Sequence, residues 1–167
     1  MKLRRKARVA VLQALYEVDV ANHPAGEALR CRLEDQSLPA AAEAFARRLM
    51  AGVLTHRHQL NALIAKHAPE WPLDQMAVID RNILRMAIYE ISDAELDTPA
   101  KVAINEAVEM AKAFGSDSSP RFVNGVLGAL LASTPKPSIG QPQPADDRSP
   151  LTPQSSHTEN GVEVAVA

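Results

Sequence analysis

Apolar side chains recur every three or four residues through most of the chain, the spacing that gathers them on one stripe of an α-helix. The pattern is clearest near residues 99–131. There Val102, Ala103, Ala107, Met110, Ala111 and Phe114 share one stripe, and Val123, Val126, Leu127, Leu130 and Leu131 share a second. Boundary residues frame both. Thr98 is a natural N-cap with Pro99 at the first helical position, where the missing N–H costs no hydrogen bond. Gly115 stands where a helix ends in a left-handed residue. Ser118 or Ser119 caps the next helix, with Pro120 at its start. Phe122 and Asn124 lie off the second stripe, beside Arg121. A large aromatic near an exposed helix start, next to a cation, is the oddity of this stretch. It is either core or a stacking platform.

Upstream the same periodicity predicts four more helices. Residues 3 to about 21 place Val11, Leu12, Leu15 and Val18 on one face, and Asn22, His23, Pro24 and Gly26 make the turn that follows. A short helix over 25–33 precedes Pro39. A long helix over 41–67 carries Phe45, Leu49, Val53, Leu60, Leu63 and Ile64 inward, with Gly52 permitting a close helix contact. Pro69 and Pro72 break the chain around Trp71, read as a packing anchor at the bundle end. Asp74 caps a helix running to about 92, with Met76, Ile79, Ile83, Leu84, Ala87 and Ile91 inward and Asp80 and Arg81 outward. An acidic loop, residues 93–97, leads into the stretch described above. Helices joined by short loops, without a period-two segment, predict an all-α bundle over residues 1–134. After Ser133 the chain turns dense in Pro, Ser and Gln, a composition that cannot build a core, so residues 135–167 are expected to form a disordered tail.

Composition narrows the function classes. A chain of 167 residues suits one domain, and with only 4% aromatics its core must rest on aliphatic residues. No apolar run approaches the ~20 residues of a membrane span, and no signal peptide is visible. One cysteine, Cys31, excludes an intramolecular disulfide framework and fits a reducing cytoplasm. A net charge of −2 does not announce a nucleic-acid binder. Its distribution is more telling, because Lys2, Arg4, Arg5, Lys6 and Arg8 crowd the start without an acid among them. Cations at a helix N-terminus oppose the macrodipole, so the cluster reads either as a frayed, solvated end or as a phosphate-binding arm. Catalytic signatures are missing. His56 and His58, two apart, point to opposite sides of a helix, and Glu106 and Glu109 lack a histidine at metal-site spacing. They read as surface side chains. The expectation is a binder, with no enzyme activity, cofactor or metal.

KVAINEAVEMAKAFG followed by SPRFVNGVLG closely resembles the C-terminal part of the NusB family of bacterial antitermination factors. DRNILRMAIYEI and the opening RRKARVAVLQALYEVDV resemble the same family in the same order. The resemblance covers roughly residues 3 to 132 and implies the NusB fold, two small helical bundles packed together. It implies a cytoplasmic factor that binds the boxA element of ribosomal-operon RNA. NusE, a ribosomal protein, would be its partner within the RNA polymerase antitermination complex. Carried over by position, Lys2, Arg4, Arg5, Lys6 and Arg8 form the RNA-binding arm. Phe114, Ser118, Arg121 and Phe122 form a second RNA-facing patch, and Tyr16 and Asp80 contact NusE. Ser118 and Pro120 stand where relatives can carry Asp and His, which leaves the finer RNA contacts there open. The free protein is left as monomer or dimer, since relatives differ. Two other classes compete: a helical protein adaptor without RNA, and a NusB-like domain serving an RNA methyltransferase.

Overall fold

A computed structural model describes residues 2–140, and the predicted periodicity becomes seven α-helices there, with no strand among the described residues. They are α1 (Lys2–Ala21), α2 (Ala25–Gln36), α3 (Ala40–Thr55), α4 (Arg57–His67), α5 (Val78–Ser92), α6 (Ala100–Phe114) and α7 (Ser119–Ser133). A single 3-10 turn, Ala94–Leu96, precedes α6. Prolines open three helices in one way. Pro24, Pro39 and Pro99 each stand just before the first helical residue with φ near its fixed value (−58°, −59° and −57°) and an extended ψ. Their carbonyls accept the first helical hydrogen bonds, as in Ala103 N–H to Pro99 O at 3.0 Å. Thr98 therefore lies one residue outside the cap it was expected to form, and its hydroxyl donates to Leu96 O instead.

The long helix expected over 41–67 is two helices, broken at His56 (φ −104°, ψ 21°). Tyr89 of α5 is seated where Gly52 leaves no side chain, since a Cβ there would fall 1.9 Å from the ring. His56 turns out of line beside it, its ring stacked on Tyr89 at 5.5 Å. Gly52 thus makes the close contact the sequence suggested. Asp74 caps nothing: residues 72–76 form a turn closed by Pro72 O, and α5 starts only at Val78.

α5 is the axis of the molecule. It touches α1, α3, α4, α6 and α7, and eleven of its fifteen residues are buried. One bundle, α1–α3, packs on one side of it, and α4, α6 and α7 pack on the other. The core runs unbroken between them, with Leu49, Leu60, Ile64, Ile83, Leu84, Ile88, Leu127 and Leu130 in one cluster. Truncating any of these to Ala costs ~2–5 kcal/mol. A polar joint reinforces the junction. Asp19 at the end of α1 accepts from Arg57 at 2.8 Å, Asn82 at 3.1 Å and Arg85 at 3.3 Å. Burial pushes the Asp19 carboxyl up, but the Asn82 hydrogen bond and the Arg57 and Arg85 charges outweigh it and hold it low. Burial, reinforced by the nearby Arg57 charge, lowers the Arg85 guanidinium to about 10 against the pull of Asp19.

The first residues of the expected tail are not free. Pro137 is buried, Ile139 packs against the core, and Gln59 Nε2 donates to Gly140 O at 3.3 Å. A segment too polar to make its own core can still lay two apolar side chains on someone else's. The remainder of that tail, residues 141–167, lies outside the described residues.

Candidate nucleic-acid interface

The basic start of α1 divides by helical face. Lys2 and Lys6 are exposed and make no ion pair among the described residues. Arg8, one turn on and facing inward, is only 2% exposed. Its guanidinium grips Glu90 of α5, with Nε donating to Oε2 at 3.0 Å, and it lies over the Phe45 ring at 5.1 Å. The expected role of Arg8 as a phosphate ligand is therefore corrected: a guanidinium already buried against a carboxylate has no face left for a phosphate. Arg5 makes a bidentate bond to Glu106 of α6 at 2.9 and 3.0 Å, with half of its side chain still in solvent. Glu106, expected as a solvated charge, is in fact buried. The hydrogen bond from Arg5 holds its carboxyl below the usual range, against the upward push of burial. Arg4 donates to Leu96 O at 2.9 Å and lies over Phe45 at 4.7 Å. Only Lys2 and Lys6 remain fully available as phosphate ligands, with Arg4 and Arg5 at the margin.

The α6–α7 junction is built differently. Gly115 is extended (φ −90°, ψ −171°) and not left-handed. Its value is space, since a Cβ would come within 2.5 Å of the Ser119 side chain. Ser119, buried, accepts from Ser116 N–H at 2.9 Å and fixes this tight turn. The turn leaves Ser116 and Ser118 facing a groove of about 480 Å³ lined also by Trp71, Gln75, Asp80, Arg121 and Phe122. So the structure brings Ser118, Arg121 and Phe122 together, as expected. Phe114 is exposed at the end of α6 but does not line this groove.

Asp80 was expected to face outward. It is buried instead, in the first turn of α5, and is one of the residues lining the same groove. Arg81 is likewise drawn in, donating to Leu73 O at 3.1 Å. Tyr16, on the outer face of α1, is exposed at 42% together with Val20 one turn on. The groove and the basic arm share no lining residue, and Glu106, where Arg5 docks, lies about 12 Å along α6 from Phe114 at the helix end.

With this geometry in place, the relatives become informative. The sequence profile of the NusB family matches residues 5–132, from within α1 to near the end of α7. The chain belongs to the NusB family. The transcription antitermination protein NusB of Roseiflexus castenholzii is 47% identical over 131 residues, covering 78% of this chain and 92% of that protein. NusB of Bacillus subtilis is 45% identical over 127 residues, covering 76% and 93%. Among solved structures, NusB of T. maritima superposes with a TM-score of 0.72 at 33% identity, covering 82% of this chain and 93% of that one. A crystal structure of the antitermination factors NusB and NusE in complex with dsRNA matches with a TM-score of 0.71 at 25% identity, covering 80% and 98%. The NusB match includes the groove and most of the arm, while Lys2 and Arg4 precede it.

Sequence reasoning missed Trp71, Gln75 and Ser116 as groove residues. Trp71, read as a packing anchor, is 56% exposed. The available signal was a lone tryptophan between two prolines, in a loop that has no reason to hold one unless a surface needs it. No helix of the described residues is long and apolar enough to cross a membrane.

Proposed function

We propose that this chain is a transcription antitermination factor that binds boxA RNA of ribosomal RNA operons together with NusE, acting on RNA polymerase in the cytoplasm as a binder and not as an enzyme. The observation that carries the reading is the groove. In a chain of the NusB family, a partly exposed aromatic (Phe122) stands beside an exposed cation (Arg121) and two serine hydroxyls, a combination suited to a stacked base and its phosphate. Lys2 and Lys6 add nonspecific attraction for the backbone at the other end of α6. Tyr16, with Val20, offers the apolar surface for NusE. The NusB–NusE–dsRNA complex among its structural relatives supports this pairing of ligands.

The test is a titration of labelled boxA RNA and a scrambled control, each with and without NusE. The expected outcome is preference for boxA and a NusE-dependent gain of ~1–3 kcal/mol, matched by an equal gain in NusE affinity when boxA is present. Equal binding of boxA and scrambled RNA, with no effect of NusE, would reduce the chain to a nonspecific RNA binder, and binding of neither RNA would leave a helical protein adaptor.

A further inference from the structure

The family match stops at residue 132, but the chain keeps contact with the bundle as far as Gly140. Its course starts from a fixed point, since Ser133 Oγ lies 2.8 Å from His67 Nε2 at the end of α4. Thr134 is extended (φ −147°, ψ 98°) and precedes Pro135, and Lys136 precedes Pro137. A residue before proline is pushed out of the helical region, so the segment is held open by its own prolines. In an extended chain, side chains two apart share a face. Pro137 is buried, Ser138 exposed and Ile139 half-buried. Ile139 shares a pocket with His56 and Tyr89 at the α3–α4 break, and just beyond it Gln59 Nε2 donates to Gly140 O at 3.3 Å. The seat is roomy. About 210 Å³ of open space adjoins Ile139, and about 450 Å³ adjoins Pro135 and Lys136. The segment lies in a groove without filling it, unlike the close packing of a protein core.

We propose that the face formed by the α3–α4 break and the C-terminal end of α5 is a binding groove for an extended Lys-Pro-x-Ile peptide, and that residues 135–140 are its resident ligand, seated in cis and able to leave. Each part of the segment has a role in the seating. The prolines supply a stiff extended backbone with little entropy to lose, as in other proline-containing segments that dock in aromatic-lined grooves. Ile139 is the apolar anchor against His56 and Tyr89. The Gly140 carbonyl, held by Gln59, fixes the register. Lys136 lines the wider space together with Asp93 and Asp97, a charge match that favours a basic peptide over an acidic one. A tethered ligand is present at its site at an effective concentration on the order of millimolar, so the chain's own segment excludes a free copy. The RNA groove takes no part in this site.

The probe is a fluorescently labelled peptide of residues 134–140, titrated by anisotropy against the full chain. Wild type, with its groove filled, should bind the peptide weakly. The Pro137→Asp/Ile139→Asp variant, whose own segment is unseated, should bind it at least about tenfold tighter. The same two substitutions placed in the peptide should abolish that binding. Ring resonances of His56 and Tyr89 in NMR spectra locate the site. They should move when the variant's own segment leaves and return toward their wild-type positions when the peptide is added. Should the double variant lose its helical circular dichroism, Ile139→Ser in the full chain takes its place, with the same order of affinities expected. Equal peptide binding by wild type and variant overturns the proposal, as do His56 and Tyr89 resonances that stay fixed throughout. A folded variant that takes up no peptide makes residues 135–140 a fixed part of the fold and overturns it as well.

Discussion

The start of α1 and the groove at the start of α7 invert what their sequences suggest. Residues 2–8 look like a surface of charge, yet Arg8 is the most deeply buried arginine among the described residues and Arg5 closes over Glu106. Beside the groove Trp71 looks like a packing anchor, yet its indole is left in solvent next to a partly exposed phenyl ring. The difference lies in what each helix packs against. α1 packs on α5, which carries Glu90, and its Arg5 and Arg8 side chains reach Glu106 of α6, so its inward cations are consumed by structure. The turn after α6 and the start of α7 meet the loop before α5 across the groove, where Trp71 stays in solvent. Charge in a sequence reports the presence of an ion, and only the opposite face decides whether it is available.

The comparison breaks most visibly at Arg8. Removing one partner of a buried ion pair strands the other charge, at ~3–5 kcal/mol. Arg8→Ala should therefore lower Tm by many degrees, measured by thermal circular dichroism, whereas Lys2→Ala with Lys6→Ala should leave Tm within a degree or two. An Arg8→Ala protein of wild-type stability would return this residue to the RNA arm.

Phe122→Ala sharpens the other side. Its ring is partly exposed, so the stability loss should fall below the ~3–5 kcal/mol of a buried phenylalanine. The loss of RNA affinity should reach ~1–3 kcal/mol, one stacked base. A stability loss at the top of that range with RNA binding intact would make Phe122 core.

The smallest effect expected is on acid stability. Glu106 titrates below the usual carboxylate range, chiefly through its hydrogen bond to Arg5. A lowered folded pKa contributes stability above the unfolded value, about 4.3, and that contribution is lost as pH falls through the folded value. Glu106→Gln should then be less stable than wild type at neutral pH and show a shallower decline below about pH 4, read as Tm against pH. An unchanged acid limb would mean that the Arg5–Glu106 contact contributes nothing in solution.

The helices and most of the core were legible in the sequence because their stripes follow the helical repeat and their prolines mark the starts. The break at His56 was not, since 41–67 is continuous in pattern and the interruption comes from Tyr89 entering at Gly52 from another helix. Among the site residues, Ser118, Arg121 and Phe122 were legible as an aromatic and polar group off the buried stripe. The burial of Arg8, Glu106 and Asp80 was not, because each depends on a residue or loop far away in the chain, such as Glu90 for Arg8. Trp71 was misplaced for the same reason: an indole in a loop reads as an anchor until its neighbours are known to leave it open.

The division between a lysine arm that supplies charge and a groove that supplies stacking is tested most directly by salt dependence. RNA affinity should be measured from low to moderate salt for the wild type, the Lys2→Ala/Lys6→Ala double variant and Phe122→Ala. Each neutralised phosphate contributes about −0.7 to the slope of log K against log salt, so the double variant should lose up to about 1.4 from the slope's magnitude. Phe122→Ala should shift the whole line downward by a nearly constant factor with its slope unchanged. Parallel lines for wild type and the lysine variant, or a flattened slope for Phe122→Ala, would contradict the division.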